Sequence, residues 1–170
     1  MRLVNKDITF IDYPDPSDWA VIFYVSGCCH NCINCQNKEL QDPNLGNEIK
    51  DVDSLYNIVK DATLHYKTNK IVFSGGDPLF ETNRVLIKEF LNKYGNEFEI
   101  CIYTGYPISF VKEQNISGFK FIKCGKFFST ELQYRKPGIT DDKFTLASGN
   151  QDFYDENYNK ISINGILKFR

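Results

Sequence analysis

Four of the six cysteines fall within eight residues, Cys28-Cys29-His30-Asn31-Cys32-Ile33-Asn34-Cys35, directly after the unbroken apolar run Ala20 to Val25. Thiols this crowded cannot be spread across a chain as a disulfide scaffold, and small secreted scaffolds of that kind use shorter chains. The residues between the thiols are mostly polar, so the segment does not read as buried core. An apolar run of six residues reads as a strand buried on both faces. The two features together describe a loop that leaves a buried strand and wraps its thiols around metal.

The rest of the chain repeats the theme of a short apolar run followed by an amphipathic stretch. Asp53 is placed to cap a helix with Leu55, Ile58, Val59 and Ala62 on one face. Lys70 to Phe73 is the next strand. Thr82 opens a second helix with Leu86, Ile87, Phe90, Leu91 and Tyr94 inward, and Gly95 ends it. Phe98 to Tyr103 and Phe119 to Ile122 are further strands, with a short helix after Pro107 between them, and a hairpin around Asn157-Tyr158-Asn159 spans Phe153 to Phe169. Strand–helix–strand alternation implies a mainly parallel sheet in an α/β fold. The strands lead into Ser26-Gly27-Cys28, Ser74-Gly75-Gly76-Asp77-Pro78, Thr104-Gly105-Tyr106 and Cys124-Gly125. Such segments gather at the C-terminal edge of a parallel sheet, where α/β folds place their sites. Thr104 enters the candidate cofactor-binding set for that reason.

With 170 residues the expectation is one domain, 1–170. A net charge of −2 offers no basic footprint for nucleic acid. No apolar run reaches a membrane span and the N-terminus lacks a signal-peptide core, so the expected location is cytoplasmic, without membrane or nucleic-acid partners.

Three metal or non-metal readings compete at the cysteines. Structural zinc, with His30 as a fourth ligand, normally brings a second C-x2-C pair, which this chain lacks. A ferredoxin-like register, Cys29-x2-Cys32-x2-Cys35, needs a fourth cysteine followed by proline, where the chain has Glu39-Leu40. Inert buried thiols do not sit among His30, Asn31 and Asn34. The register C-x3-C-x2-C of Cys28, Cys32 and Cys35 suits a [4Fe–4S] cluster with one iron left open for chemistry. Cys29 is a spare ligand, a neighbour or neither. Cys101 reads as core, and Cys124 as core or a neighbour of the site.

The pair Gly75-Gly76 removes two side chains at a strand end, allowing close backbone approach and positive φ. Its carbonyls could accept from a ligand ammonium, with Asp77 either adding negative charge there or fixing the turn. A plain tight turn is the alternative.

Taken together, C-x3-C-x2-C and Gly-Gly-Asp-Pro resemble the radical S-adenosylmethionine (SAM) superfamily. Within it the chain is similar to the activating proteins of anaerobic (class III) ribonucleoside-triphosphate reductases. The likeness is carried by Ile11-Asp12-Tyr13-Pro14, Ser26-Gly27-Cys28 with His30, Cys35-Gln36-Asn37, Ser74 to Leu79, Tyr103 to Tyr106 and Ser148-Gly149-Asn150-Gln151. The resemblance implies a shortened, open (β/α) partial barrel of the radical SAM type. It implies one [4Fe–4S] cluster on Cys28, Cys32 and Cys35, and SAM beside Asn34, Cys35 and Gln36 with its methionyl end on Gly75 and Gly76. It also implies reductive cleavage of SAM to a 5′-deoxyadenosyl radical, hydrogen abstraction from a reductase glycine, and reduced flavodoxin or a similar electron donor. The reductase's own loop would complete the site, near Tyr106 and Ser148 to Gln151. Other readings are an activase of another glycyl-radical enzyme, a small-molecule radical SAM enzyme, or a non-enzymatic metal module. The chain departs from the superfamily in having Asn34 where an aromatic residue often precedes the third cysteine, and Asp77 in place of glutamate.

Overall fold

A computed structural model describes residues 1–130 and 134–169. The first strand, β1 (Arg2–Thr9), pairs antiparallel with β2 (Ala20–Val25) and, on its other side, with β3 (Asn47–Glu48). From β2 the sheet continues in parallel through β4 (Lys70–Gly75), β5 (Glu99–Tyr103) and β6 (Phe121–Cys124). The antiparallel β9 (Asp152–Asp155) closes the far edge. The order β3-β1-β2-β4-β5-β6-β9 makes an open, mixed α/β sheet whose four central strands are parallel. Helices α1 (Val52–Tyr66), α2 (Glu81–Tyr94) and α3 (Ile108–Glu113) supply the crossovers. A second sheet, in the order β10 (Ile166–Lys168), β8 (Lys143–Thr145), β7 (Gly138–Ile139), is antiparallel throughout.

Period-two alternation divides the central strands between two cores. Val21, Phe23, Ile71, Phe73, Ile100, Ile102 and Ile122 face the helices, where Leu55, Val59, Ile87 and Phe90 meet them. Ala20, Ile22, Val72 and Cys101 face the other way, against Phe144, Phe153 and Leu167. Both faces are covered, which explains why these strands read as continuous apolar runs. On this second face, farther along toward the C-terminal edge, the side chains turn polar: Tyr24, Ser74, Tyr103 and Lys123 follow the apolar set in the same alternation.

Several local expectations shift. Asp51 rather than Asp53 caps α1, its Oδ1 accepting from the Ser54 amide at 2.7 Å. Asp53 instead lies inside the first turn, pairing with Lys93 and Tyr94 of α2. Thr82 is exposed within α2, whose cap position is Phe80, with no side-chain cap bond. Gly95 does follow the last turn, but in right-handed conformation. β6 begins two residues later than expected, since Phe119 belongs to the helix-side core before the strand starts. The C-terminal hairpin does not form as drawn. β9 pairs with β6, only an isolated bridge joins Tyr154 to Lys160, and β10 pairs with β8 in the second sheet. No helix among the described residues is long and apolar enough to cross a membrane.

The capping assignment is checked by stability: Asp51→Ala should lower the free energy of unfolding by about 1 kcal/mol in chemical denaturation, and Thr82→Ala by less than about 0.5 kcal/mol. No loss with Asp51→Ala would refute the α1 cap, and a loss of about 1 kcal/mol with Thr82→Ala would return the α2 cap to the sequence-based position.

Candidate functional site

The cysteine loop leaves β2 at Ser26 and is pinned at its base. Gly27 N–H donates to Leu40 O at 2.8 Å and Cys28 N–H to Gln41 O at 3.3 Å. Inside the loop Asn31 and Asn34 take left-handed conformations, φ 49° and 58°. Asparagine tolerates that region better than other residues with a side chain, so the two asparagines before Cys32 and Cys35 turn the chain and redirect each thiol.

One buried carboxylate ties this loop to two others. Asp77, 1 % exposed, accepts from His30 Nε2 at 2.6 Å, Leu79 N–H at 2.8 Å, Thr104 Oγ1 at 2.9 Å and Gly105 N–H at 2.9 Å. Its own amide donates to Gly27 O, and the buried Asn83 Nδ2 donates to both Ser26 O and Asp77 O. Three segments that end β2, β4 and β5 are therefore locked around one side chain. Two glycines permit the fit. A Cβ on Gly76 would lie 2.5 Å from Leu40 O and 2.6 Å from Gly27 O, and a Cβ on Gly105 would lie 2.3 Å from the His30 ring. Gly76 thus lets the glycine loop press on the backbone of the cysteine loop, a packing role that the sequence alone does not separate from ligand binding.

The loops enclose a cleft of about 240 Å³. Cys28, Cys32 and Cys35 all line it, together with Gln36, Gly75, Gly76 and Thr104. Cys29 does not line it; this exposed thiol lies 3.3 Å from the Tyr106 hydroxyl. Tyr106 in turn stands edge-on to the His30 ring and stacks on Phe110 at 4.0 Å. Cys101 and Cys124 are buried in the apolar cores. Burial pushes the Cys28 thiol up to about 11, so a thiolate there calls for a cation beside it.

Three thiols on one loop, turned to one cleft and free of disulfides, fit the ligand set of an iron–sulfur cluster. Among the described residues, the trio of donor atoms within 4.8 Å of one another is Cys28, His30 and Asp77, not the three thiols. The trio itself is a hydrogen-bonded network, because His30 Nε2 and both Asp77 oxygens already have partners.

Other sequence-derived candidates fall in different places. Asn34 is exposed, outside the cleft lining, with Nδ2 donating to Ser129 Oγ at 3.1 Å. Gln36 is on the lining, and beside it Asn37 reaches Gly75 O at 3.4 Å. Asp77 sits behind the wall and fixes the turn. The Thr104 hydroxyl donates its one proton to Asp77 and accepts from Tyr106 N–H. Ser148 is buried, bonded to Phe128 and Asn150, and Gln151 is 5 % exposed with its Nε2 on Gly125 O. Of that segment only Asn150 is exposed to a partner. The cleft also gathers Asp12, Tyr103 and Lys123. Asp12 and Tyr103 fall in stretches that carry the family likeness, whereas Lys123 is marked only by the polar end of the inward-facing alternation.

Residues 19–137 match the family described as a 4Fe-4S single cluster domain, a stretch that holds the cysteine loop, the glycine pair and β4 to β6. The chain belongs to the 4Fe-4S single cluster domain family. It is also similar to three anaerobic ribonucleoside-triphosphate reductase-activating proteins. With that of Haemophilus influenzae it is 28% identical over 116 residues, 64% of this chain and 74% of the relative. With that of Enterobacteria phage T4 the identity is 27% over 108 residues, 60% and 66%. With that of Escherichia coli K12 it is 32% over 90 residues, 50% and 57%. The chain thus spans about three quarters of the first relative and less than two thirds of the third.

Two sets of variants check the site. Cys28→Ala, Cys32→Ala and Cys35→Ala should each lose the iron–sulfur absorbance after anaerobic reconstitution, whereas Cys29→Ala, Cys101→Ala and Cys124→Ala should keep it. Loss with Cys29→Ala and retention with Cys28→Ala would restore the ferredoxin-like register. Gly76→Val should impair cluster assembly itself, because the added atoms meet the cysteine-loop backbone. Full iron incorporation in a folded Gly76→Val protein would refute the packing role.

Proposed function

We propose that this protein is a radical SAM enzyme that activates an anaerobic (class III) ribonucleoside-triphosphate reductase by forming a glycyl radical on it. The observation that carries the reading is the convergence of Cys28, Cys32 and Cys35 with Gly75 and Gly76 on one cleft at the C-terminal edge of the parallel strands. Family membership supports the cluster, and the named relatives support the target.

Cys28, Cys32 and Cys35 would hold the cluster. When bound, it supplies the electron that cleaves SAM to methionine and a 5′-deoxyadenosyl radical, which takes a hydrogen atom from the reductase glycine. The protein's own contribution is positional. Gly75, in positive φ, turns its segment so that the backbone edges the cleft. Asp77 keeps that edge at fixed separation from the cysteine loop through His30, and from the end of β5 through Thr104 and Gly105. Phe127, Pro137, Phe144 and Leu146 form an apolar wall that limits water around a reactive species. The electron donor would be reduced flavodoxin or a protein like it.

Anaerobic reconstitution followed by reduction with SAM present tests the reading at two levels. The expected results are 5′-deoxyadenosine from the protein alone and a glycyl-radical EPR signal only when the reductase is added. Cluster formation without 5′-deoxyadenosine would reduce the protein to a metal-binding module. Cleavage without a radical on the reductase would redirect it to another substrate.

A further inference from the structure

A row of packed rings leads from the cysteine loop to the surface without passing through the cleft. His30 lines the cleft, and Tyr106, which does not, meets its ring edge-on with centroids 4.6 Å apart. Tyr106 stacks in turn on Phe110 of α3, at 4.0 Å and 11°. At the loop end of the row the His30 amide donates to Cys28 Sγ at 3.5 Å, and the exposed Cys29 Sγ lies 3.3 Å from the Tyr106 hydroxyl. At the other end the Arg84 guanidinium of α2 sits 5.2 Å from the centroid of the Phe110 ring. Arg84 has no carboxylate partner among the described residues; its Nη1 reaches only Leu79 O, at 3.4 Å. Lys88, one turn along α2, donates to Gln114 O at the end of α3, at 2.9 Å, and has no carboxylate partner either. Glu81, Glu89 and Glu113 lie on the same two helices, but none of them is paired with these cations. Arg84, Lys88 and Phe110 are all half-buried, so the junction of α2 and α3 shows water two uncompensated cations beside an aromatic ring.

The proposed chemistry needs an electron at the metal centre while SAM fills the cleft and the reductase covers its mouth. A protein donor cannot use the cleft at the same time. It needs another wall, one where the cysteine loop is reached through packed atoms, because electron transfer weakens steeply with distance and with gaps. Resting on the function proposed above, we infer that the α2–α3 junction at Arg84, Lys88 and Phe110 is the docking surface for the electron donor, a flavodoxin-like protein with an acidic rim around a reduced flavin. Tyr106 and His30 bridge this surface to Cys28. One electron leaves the donor's flavin, which is oxidised by it, and reaches the centre held by Cys28, Cys32 and Cys35, which is reduced by it. The rings are the medium only; they are neither oxidised nor reduced, and no bond forms or breaks on this chain. The two cations steer an acidic partner to the outer end of the row.

The test uses anaerobic, cluster-loaded protein and two reductants: reduced flavodoxin, which must dock, and dithionite, which need not. The rate of cluster reduction is followed by absorbance and flavodoxin affinity by titration, with iron content and thermal stability as controls. Arg84→Glu and, separately, Lys88→Glu should weaken flavodoxin binding at low salt by about tenfold or more and leave reduction by dithionite unchanged. Tyr106→Leu, which breaks the row but keeps both cations, should slow reduction at saturating flavodoxin and leave affinity unchanged. Unchanged flavodoxin binding in loaded Arg84→Glu and Lys88→Glu proteins overturns the inference. Equal slowing with both reductants overturns it too, since it would make the residues structural supports. If the variants do not fold, the wild type decides: saturating reductase should leave flavodoxin reduction intact, and a block would place both partners on one surface and overturn the inference. A wild type reduced by dithionite but not by flavodoxin overturns the inference alone, whereas a wild type reduced by neither overturns the function on which it rests.

Discussion

The contact on which the rest of the site depends is the Asp77 carboxylate. It is nearly inaccessible to water, and it is shared by donors from the cysteine loop, its own turn and the end of β5. A buried carboxylate is tolerable only when its oxygens are satisfied, and here both are. Because its donors come from segments far apart in sequence, one side chain sets the spacing of three loops, alongside the backbone bond from Asp77 N–H to Gly27 O. His30 reaches the carboxylate only because Gly105 has no side chain, and the cysteine loop reaches the glycine loop only because Gly76 has none. Charge and the absence of bulk cooperate at the same place.

The sheet delivers these loops to one end, and its two faces divide the labour. The helix side is uniformly apolar, with Phe23, Phe73 and Phe90 in contact through their rings. The opposite face changes from apolar to polar along the strands and becomes a wall of the cleft. The small sheet of β7, β8 and β10 lies over the apolar part of that face through Phe144 and Leu167. That face is therefore filled where the fold needs a core and open along the cleft.

The central strands and the first two crossover helices were legible because burial on both faces leaves an unbroken apolar signature, and amphipathic helices leave a periodic one. β1 was not, because a strand flanked on its outer side only by the two-residue β3, with the sequence Arg-Leu-Val-Asn-Lys-Asp-Ile-Thr, is largely solvated and alternates poorly. Helix starts were displaced because Asp51 and Asp53 offer the same chemistry two residues apart, and only tertiary contact with Lys93 and Tyr94 separates them. The cysteine triplet was legible because the thiols' chemistry lies in their spacing. The role of His30 was not, since its partner is 47 residues away. Lys123 escaped for the opposite reason: lysine in a strand reads as a solvated edge, and only the register opposite Tyr103 turns it inward.

The bracing of the cysteine loop bears on the order of assembly. In small metal-dependent folds the ligands are disordered until metal arrives, and binding energy is spent on ordering the chain. Here Gly27 and Cys28 are hydrogen-bonded to the turn at Leu40 and Gln41, and His30 is held by Asp77, by groups that involve no metal. Much of the loss of chain entropy is thus met when the polypeptide folds. Iron and sulfide would then enter a receptacle already shaped, and oxidative loss of the cluster would leave behind a folded protein able to be refilled.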